Sequence, residues 1–126
     1  MTTQPNKVWE AYNEAENTRD FSAMARLVAE DITITVNGIK SVSSAEEDQS
    51  EMRHVMEVYP DYRRILEEIL SFGNRTVARW QMLGSSPTAP DLNATGCSIV
   101  TVKDGQITDA YLYYDSAVLD SVLGRH

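Results

Sequence analysis

The chain has 126 residues, of which 42% are hydrophobic and 24% are charged, and its formal net charge is −8. The length suits one domain over residues 1–126, and the acidic balance disfavours nucleic acid or an anionic membrane as a partner. No apolar stretch is long enough to span a bilayer and the N-terminus lacks a signal-peptide pattern, so we expect a soluble, cytoplasmic protein.

The N-terminal part of the chain is predicted to form a helical hairpin. Apolar residues at helical spacing indicate a first helix over about residues 5–17. Asp20 can cap a second helix, because its side chain can accept hydrogen bonds from the first turn. The apolar stripe of this second helix runs to Val28, and we expect the helix to end near Asp31.

A short strand and a third helix are predicted next. Residues 32–36 are β-branched throughout and precede Asn37-Gly38, a pattern typical of a strand followed by a turn. Helical spacing returns over residues 52–59 and stops at Pro60. The acidic run at 45–51 is typical of a solvated first turn, where acids interact favourably with the helix dipole. We therefore assign no function to that run.

Residues 62–72 fit two kinds of element. Their four aliphatic residues recur at helical spacing, which by itself favours a helix. The next segment, residues 76–83, alternates along its length and predicts a strand. That alternation puts Ala78, Trp80 and Met82 on one face of the strand.

A loop and a β-hairpin are predicted to complete the chain. Residues 84–96 are rich in Gly, Pro, Ser and Asn, which indicates a loop. Strands at 97–102 and 107–114 flank Asp104-Gly105, the turn signal of a hairpin. The resulting sheet is expected to be mostly antiparallel.

Three segments in this order resemble SnoaL-like polyketide cyclase domains, a family within the nuclear-transport-factor-two-like and ketosteroid isomerase-like superfamily. The segments are Tyr59-Pro60-Asp61-Tyr62, the run from Gly73 to Gly84, and the run from Val102 to Ile107 with the closing pattern Tyr113-Tyr114-Asp115, Leu119 and Leu123-Gly124. The resemblance implies a cone-shaped α+β fold of the nuclear-transport-factor-two-like or cystatin-like type, in which a curved antiparallel sheet wraps around three helices. It also makes residues 62–72 a strand, and we adopt that prediction over the helical spacing.

The resemblance further implies a largely apolar cavity at the open end of the cone, suited to a small hydrophobic molecule. Side chains that the family's strand orientation turns inward, together with the apolar helix faces, are expected to line this cavity. They are Trp9, Tyr12, Val36, Met52, Met56, Trp80, Met82, Ser98, Leu112 and Tyr114. Trp80 and Met82 could stack on a planar ring, although such residues at strand spacing are more often plain core.

The catalytic carboxylates of the family's relatives correspond to other residue types in this chain. The aspartate on the last strand of the cyclases and epoxide hydrolases corresponds to Leu112. The base of the ketosteroid isomerases corresponds to Val36, and their oxyanion-hole aspartate to Ser98. Only the isomerase tyrosine has a counterpart, Tyr12. By this resemblance Tyr12 would donate a hydrogen bond to a carbonyl or enolate oxygen, the alternative being a core tyrosine with its hydroxyl at the rim.

Few other residues are candidates for chemistry. Asp115 is the carboxylate nearest to the expected cavity and the second catalytic candidate, although a cap for the last helix explains it at least as well. His54 is predicted to be a solvated helix residue. Cys97, the only cysteine, has no histidine at a fixed spacing that would activate it. Because the other histidine is His126 at the end of the chain, we predict no metal site, and no cofactor is implied.

Two hypotheses for the function remain open. The first is an isomerase, cyclase or hydrolase that acts by acid–base chemistry on a polyketide-, terpenoid- or steroid-like metabolite, with Tyr12 and Asp115 as catalytic groups. The second is a non-catalytic ligand-binding or dimerisation module, which the missing carboxylates favour. We also expect a homodimer that pairs through an apolar outer sheet face. The residues of that face are Val77, Gln81, Leu83, Ile99, Tyr111 and Tyr113.

Overall fold

A computed structural model describes residues 4–124, which form four helices and six strands. The helices are α1 (Pro5–Asn17), α2 (Phe21–Arg26), α3 (Ala45–Val58) and α4 (Ala117–Val122). The strands are β1 (Val28–Val36), β2 (Ile39–Val42), β3 (Arg63–Phe72), β4 (Arg75–Gly84), β5 (Leu92–Lys103) and β6 (Gln106–Tyr114). None of the helices in this range has both the length and the hydropathy that crossing a membrane requires. His126 lies outside the described residues.

The strands of residues 4–124 form one curved sheet in the order β2-β1-β6-β5-β4-β3. This arrangement with its helices confirms the predicted α+β class. Neighbouring strands are antiparallel except that β1 runs parallel to β6, with Thr33 opposite Asp109 and Val36 opposite Leu112. The sheet is therefore mixed rather than wholly antiparallel, because the long connection from β1 to β6 lets the chain return in the same direction.

Strand β3 confirms the family-based prediction for residues 62–72, and the helical prediction from spacing is wrong. β3 pairs with β4 along its length, and the register shifts between Leu66 and Glu68. This bulge puts Leu66 and Ile69, three residues apart, on the side that packs against the core. The helix-like spacing of the aliphatic residues therefore comes from a bulged strand.

The second helix is shorter than its apolar stripe predicts. α2 ends at Arg26, and Val28, which was predicted to belong to that helix, begins β1. The chain turns into a strand here because the Ile107 amide of β6 donates to the Leu27 carbonyl at 2.8 Å and Val28 pairs with Ile107. After β1, the turn at Asn37-Gly38 leads into β2, a strand that the sequence analysis missed.

Strand β5 is longer than predicted. It begins at Leu92, so that the loop expected over residues 84–96 contracts to residues 85–91. The extension follows from pairing, because β4 runs on to Gly84 and continues the ladder as far as Leu92. Cross-strand contacts support it, for example the 2.8 Å hydrogen bond that the Gln81 side chain donates to Asn93 Oδ1.

The outer sheet face that was predicted to pair two copies lies at the surface. The side chains of Tyr111 and Tyr113 are 38% and 45% exposed. Charges interrupt this apolar face, because Arg79 of β4 forms ion pairs with Glu67 and Glu68 of β3. Dimerisation through this face stays a prediction.

Gly96 of β5 is expected to tolerate no larger side chain. A Cβ at this position would meet the Tyr113 carbonyl oxygen and lie 2.8 Å from the Trp80 ring and 2.9 Å from the Tyr114 Cβ. We expect Gly96→Ala to lower the free energy of unfolding by about 1 to 3 kcal/mol, because overpacking shifts the strands. Urea denaturation measures the change. Thr95→Ala, an exposed substitution on the same strand, should cost less, and equal costs would contradict this account.

Candidate functional site

A mostly apolar cavity of about 90 Å³ lies between the sheet and helices α1, α3 and α4. Many of the side chains predicted to line a cavity do so, namely Trp9, Tyr12, Val36, Met52, Met82, Ser98, Leu112 and Tyr114. Aliphatic side chains from three strands complete the wall, among them Ile34 of β1, Val100 of β5 and Ile107 of β6. The cavity therefore includes most of the side chains that the family resemblance implies, and its walls are largely hydrocarbon.

Trp80 and Met56, which were also predicted to line the cavity, lie outside it. Trp80 is fully buried, and its indole Nε1 donates to Ser98 Oγ at 2.8 Å. The Trp80 ring is accommodated in the sheet interior beside Gly96, which has no side chain to exclude it. Met56 packs in the core near the end of α3. Neither residue offers a stacking surface to a molecule in this cavity.

Asp115, the second catalytic candidate, is exposed and does not line the cavity. It does not cap the last helix either, because Ser116 is the N-cap residue of α4 and its Oγ accepts from the Leu119 amide at 3.1 Å. The strand direction explains this placement, since Tyr114 points inward and the next residue must point outward. His54 is exposed on α3, as predicted.

The cavity nevertheless contains a carboxylate, which comes from a residue that sequence reasoning dismissed. Asp48 of α3 is 7% exposed and lines the cavity. The Tyr12 hydroxyl of α1 donates to Asp48 Oδ2 at 2.6 Å. The prediction that the acidic run at 45–51 is a solvated face is therefore wrong for Asp48, whose side chain is buried.

The position of Asp48 follows from where α3 begins. The Ser44 side chain caps the helix by accepting from the Glu47 amide at 3.1 Å. Counted from this start, Asp48, Met52 and Val55 fall at i, i+4 and i+7 on one helix face, and all three line the cavity. Extending the apolar stripe backwards by one turn from Met52 would have identified Asp48 as an inward residue.

The environment of Asp48 changes its acidity. Burial raises the pKa of Asp48 to about 6. The negative charges of Glu16 and Glu51 also raise this pKa, whereas the hydrogen bond from Tyr12 and the positive charge of Arg64 lower it. Burial and the nearby carboxylates of Asp48 and Glu16 also raise the pKa of Tyr12 well above its ordinary value. Near pH 6 the Asp48 carboxyl group is therefore partly ionised, whereas the Tyr12 hydroxyl stays protonated.

A buried ion pair adjoins the Tyr12–Asp48 contact. Glu16 of α1 accepts from the Tyr62 hydroxyl at 2.6 Å and from Arg64 Nη2 at 3.3 Å. Arg64 Nε also donates to Asn13 Oδ1 at 2.8 Å, and its guanidinium lies 4.9 Å from the centre of the Trp9 ring. Both Glu16 and Arg64 line the cavity. This ion pair joins α1 to β3 and was not anticipated from the sequence.

The polar groups of the cavity are suited to moving protons. A carboxyl group whose pKa lies near neutrality can both accept and return a proton under ordinary conditions. Within residues 4–124, no three carboxylate, imidazole or thiol groups are arranged to hold a metal ion. The raised pKa of Asp48 and the apolar walls around it are the observations that favour acid–base chemistry at this cavity.

Comparison with known proteins places this cavity in a family context. The chain matches the family model of the SnoaL-like domain over residues 9–110. No curated protein sequence matches the chain. Among solved structures, wild-type IdmH, a proposed polyketide cyclase from Streptomyces antibioticus, is similar with a TM-score of 0.81 at 20% identity, covering 97% of this chain and 99% of that one.

Two further structures illustrate the range of proteins with this fold. An LEH-like epoxide hydrolase from M. tuberculosis has a TM-score of 0.76 at 16% identity, and the match covers 93% of this chain and 86% of the hydrolase chain. A protein with a ketosteroid isomerase-like fold from Catenulispora acidiphila, solved in complex with trimethylamine, has a TM-score of 0.78 at 16% identity, with coverages of 98% and 96%. Sequence identities this low show a shared fold alone. The family model spans most of the sequence, and the chain therefore belongs to the SnoaL-like domain family.

Proposed function

We propose that the cavity is the active site of an enzyme that transfers a proton at the carbon next to a carbonyl group of a small hydrophobic molecule. The observation that carries this proposal is the 2.6 Å hydrogen bond between Tyr12 and Asp48, which joins two buried groups at an apolar cavity. In this proposal Asp48 takes the role that the sequence analysis gave to Asp115. Isomerisation and cyclisation both begin with such a proton transfer.

The proposed step uses Asp48 as the base. Its carboxylate removes the proton from the carbon, and the electrons of that C–H bond form a C=C bond as the carbonyl oxygen becomes an enolate. Once Asp48 is protonated it no longer needs a donor, so the Tyr12 hydroxyl can turn to the developing enolate oxygen. Asp48 then returns its proton to carbon. The raised pKa of Asp48, about 6, suits both halves of this cycle.

The size of the cavity bears on the substrate. Its volume of about 90 Å³ is smaller than the roughly 150 Å³ of an apolar cavity known to hold benzene. A compound of the size of one small ring suits this space. A polyketide-, terpenoid- or steroid-like molecule would fit only after the partly exposed side chains of Met52, Leu112 and Leu123 move aside.

Hydrogen–deuterium exchange of cyclopentanone tests the proposal. This small ketone exchanges the protons beside its carbonyl slowly in heavy water, and proton NMR follows the loss of signal. We expect the protein to accelerate the exchange. Asp48→Asn should slow it by about 100-fold or more, because general base catalysis is lost. Tyr12→Phe, which removes only the hydroxyl, should slow it by about 5- to 150-fold.

Glu47→Gln is the matched control, because Glu47 is the exposed neighbour of Asp48 in the same helix. It should leave the exchange rate unchanged. Equal exchange by the Asp48→Asn variant and the unaltered protein would refute the proposed base. Absence of any acceleration would favour the alternative hypothesis of a non-catalytic ligand-binding module.

A further inference from the structure

We infer that Trp80, by donating its indole N–H to Ser98, makes the Ser98 hydroxyl a hydrogen-bond donor to the molecule in the cavity. That molecule therefore has to bring an acceptor oxygen, such as the oxygen of a carbonyl group, to the sheet wall of the cavity. The inference rests on the proposed function in that it names, for the same cavity, the group that holds the carbonyl oxygen and the residue that orients this group.

The direction of the hydrogen bond between the two side chains follows from their chemistry. An indole nitrogen has a hydrogen to donate and cannot accept, whereas a hydroxyl group can do both. In the 2.8 Å contact between Trp80 Nε1 and Ser98 Oγ, the serine is therefore the acceptor. The hydrogen of the Ser98 hydroxyl has to point elsewhere.

That hydrogen has no acceptor among residues 4–124, in which the contact with Trp80 is the one side-chain hydrogen bond of Ser98. The residues opposite Ser98 on the two neighbouring strands are Ala78 and Leu112, whose side chains offer no acceptor. Ser98 is 2% exposed and lines the cavity. Because a buried donor without an acceptor is costly, an acceptor supplied by a molecule in the cavity stabilises this arrangement.

Trp80 is held so firmly that it can fix the orientation of Ser98. Its side chain is fully buried, and the guanidinium of Arg64 lies 5.9 Å from the centre of its ring. On the neighbouring strand, the ring lies 2.8 Å from the point that a Cβ of Gly96 would occupy. The indole therefore fills the space that the glycine leaves. An enclosed ring keeps its N–H in one direction, and Ser98 remains the acceptor.

The Tyr12 hydroxyl is engaged before the proposed proton transfer, because it donates to Asp48 at 2.6 Å. The carbonyl oxygen of an incoming molecule thus needs another donor at this stage. Ser98 of β5 belongs to the sheet wall of the cavity, whereas Asp48 of α3 belongs to the helix wall. A small ring bound to Ser98 through its oxygen directs the carbon beside the carbonyl towards the helices. Ser98 accordingly holds the carbonyl group first, and Tyr12 turns to the oxygen once Asp48 is protonated.

Two probes of the same shape test the inference on the unaltered protein. Cyclopentanone carries an acceptor oxygen, and methylenecyclopentane carries a CH₂ group in its place. Hydrogen bonds in a chain polarise one another, so a ketone that accepts from Ser98 strengthens the bond from Trp80 to Ser98. We expect cyclopentanone to move the indole proton signal of Trp80 downfield in the NMR spectrum, and methylenecyclopentane to leave it in place. Equal shifts with both probes, or no shift with cyclopentanone, would overturn the inference.

Variants then assign the effect to the hydroxyl. Ser98→Ala should weaken the binding of cyclopentanone, measured by NMR titration, by about 3- to 10-fold, and should leave the binding of methylenecyclopentane unchanged. Thr101→Val is the matched control, because it removes from the same strand a hydroxyl that donates to Asp109 at 3.1 Å and does not line the cavity. It should leave the binding of both probes unchanged. Equal weakening of both probes by Ser98→Ala would show that Ser98 only packs against the ligand, and the inference would be wrong.

The two proposals fail in different ways. Exchange of cyclopentanone that depends on Asp48, combined with an indole signal of Trp80 that does not move, would refute the inference about Ser98 alone. A shift that is specific to the ketone and lost in Ser98→Ala, without any catalysed exchange, would refute the proposed reaction and leave the contact with Ser98 standing.

Discussion

Replacing Arg64 with methionine is expected to lower the free energy of unfolding by about 3 to 5 kcal/mol, which is the usual effect of breaking a buried ion pair. Glu16 and Arg64 are 1% and 7% exposed. Arg64→Met keeps an unbranched side chain of similar length but removes the charge. Glu16 would then be a buried carboxylate whose remaining described donor is the Tyr62 hydroxyl at 2.6 Å. Urea denaturation at pH 7 measures the loss.

Two further variants make this result specific to the buried charge. Arg79→Met removes an arginine from the neighbouring strand whose side chain is 55% exposed, and its ion pairs with Glu67 and Glu68 lie in solvent. We expect it to cost less than about 1 kcal/mol. The double variant Glu16→Leu with Arg64→Met should recover most of the loss, because an apolar pair leaves no charge unpaired. A loss for Arg64→Met no larger than that for Arg79→Met would contradict the account.

Most of the cavity walls could be predicted because local periodicity shows which residues share a face and the family resemblance implies which face turns inward. Alternation in β4 places Ala78, Trp80 and Met82 on the buried face, and all three are buried. Alternation does not say which inward residues meet a cavity and which meet other side chains. Met82 lines the cavity, whereas Trp80 turns its indole to Ser98 instead, because Gly96 on the neighbouring strand leaves room for the ring.

The polar groups of the site could not be predicted in the same way. Asp48 and Tyr12 are 36 residues apart in the chain, and Arg64 and Glu16 are 48 residues apart. A charged residue on an otherwise apolar face normally indicates solvent exposure, unless a partner elsewhere in the fold offsets its burial. Those partners become apparent only when α1 is packed against both α3 and β3. The resemblance implies that the family's carboxylates are replaced by other residue types in this chain, but such a replacement says nothing about a carboxylate supplied by another helix.

The second large effect concerns the dependence of stability on pH. Burial raises the pKa of Asp48 from its ordinary 3.8 to about 6 in the folded protein. The folded state therefore holds this proton more tightly than the unfolded chain does. The resulting stabilisation is complete below about pH 4 and is lost as the pH rises through about 6. Above that pH, the free energy of unfolding is about 3 kcal/mol lower than it would be with Asp48 protonated.

Asp48→Asn should remove this cost, because the amide is neutral and its oxygen can still accept the hydrogen bond from Tyr12. At pH 8 we expect the variant to be more stable than the unaltered protein by about 1 to 3 kcal/mol. At pH 4 the difference should approach zero, since Asp48 is then largely protonated in the folded state. Urea denaturation of both proteins from pH 4 to pH 8 gives the difference directly.

Comparing the two proteins cancels the contributions of other titrating groups. Among the described residues, the charged or titratable groups acting on Asp48 are Tyr12, Glu16, Glu51 and Arg64, and all are present in both proteins. The account would be contradicted if the difference in stability did not change with pH, or if the variant were less stable at pH 8. Either result would show that burial of ionised Asp48 does not destabilise the folded protein. The predicted outcome is a variant that gains stability at neutral pH while it loses the exchange of cyclopentanone. That combination is the one expected when a protein retains a destabilising buried carboxylate because its chemistry requires it.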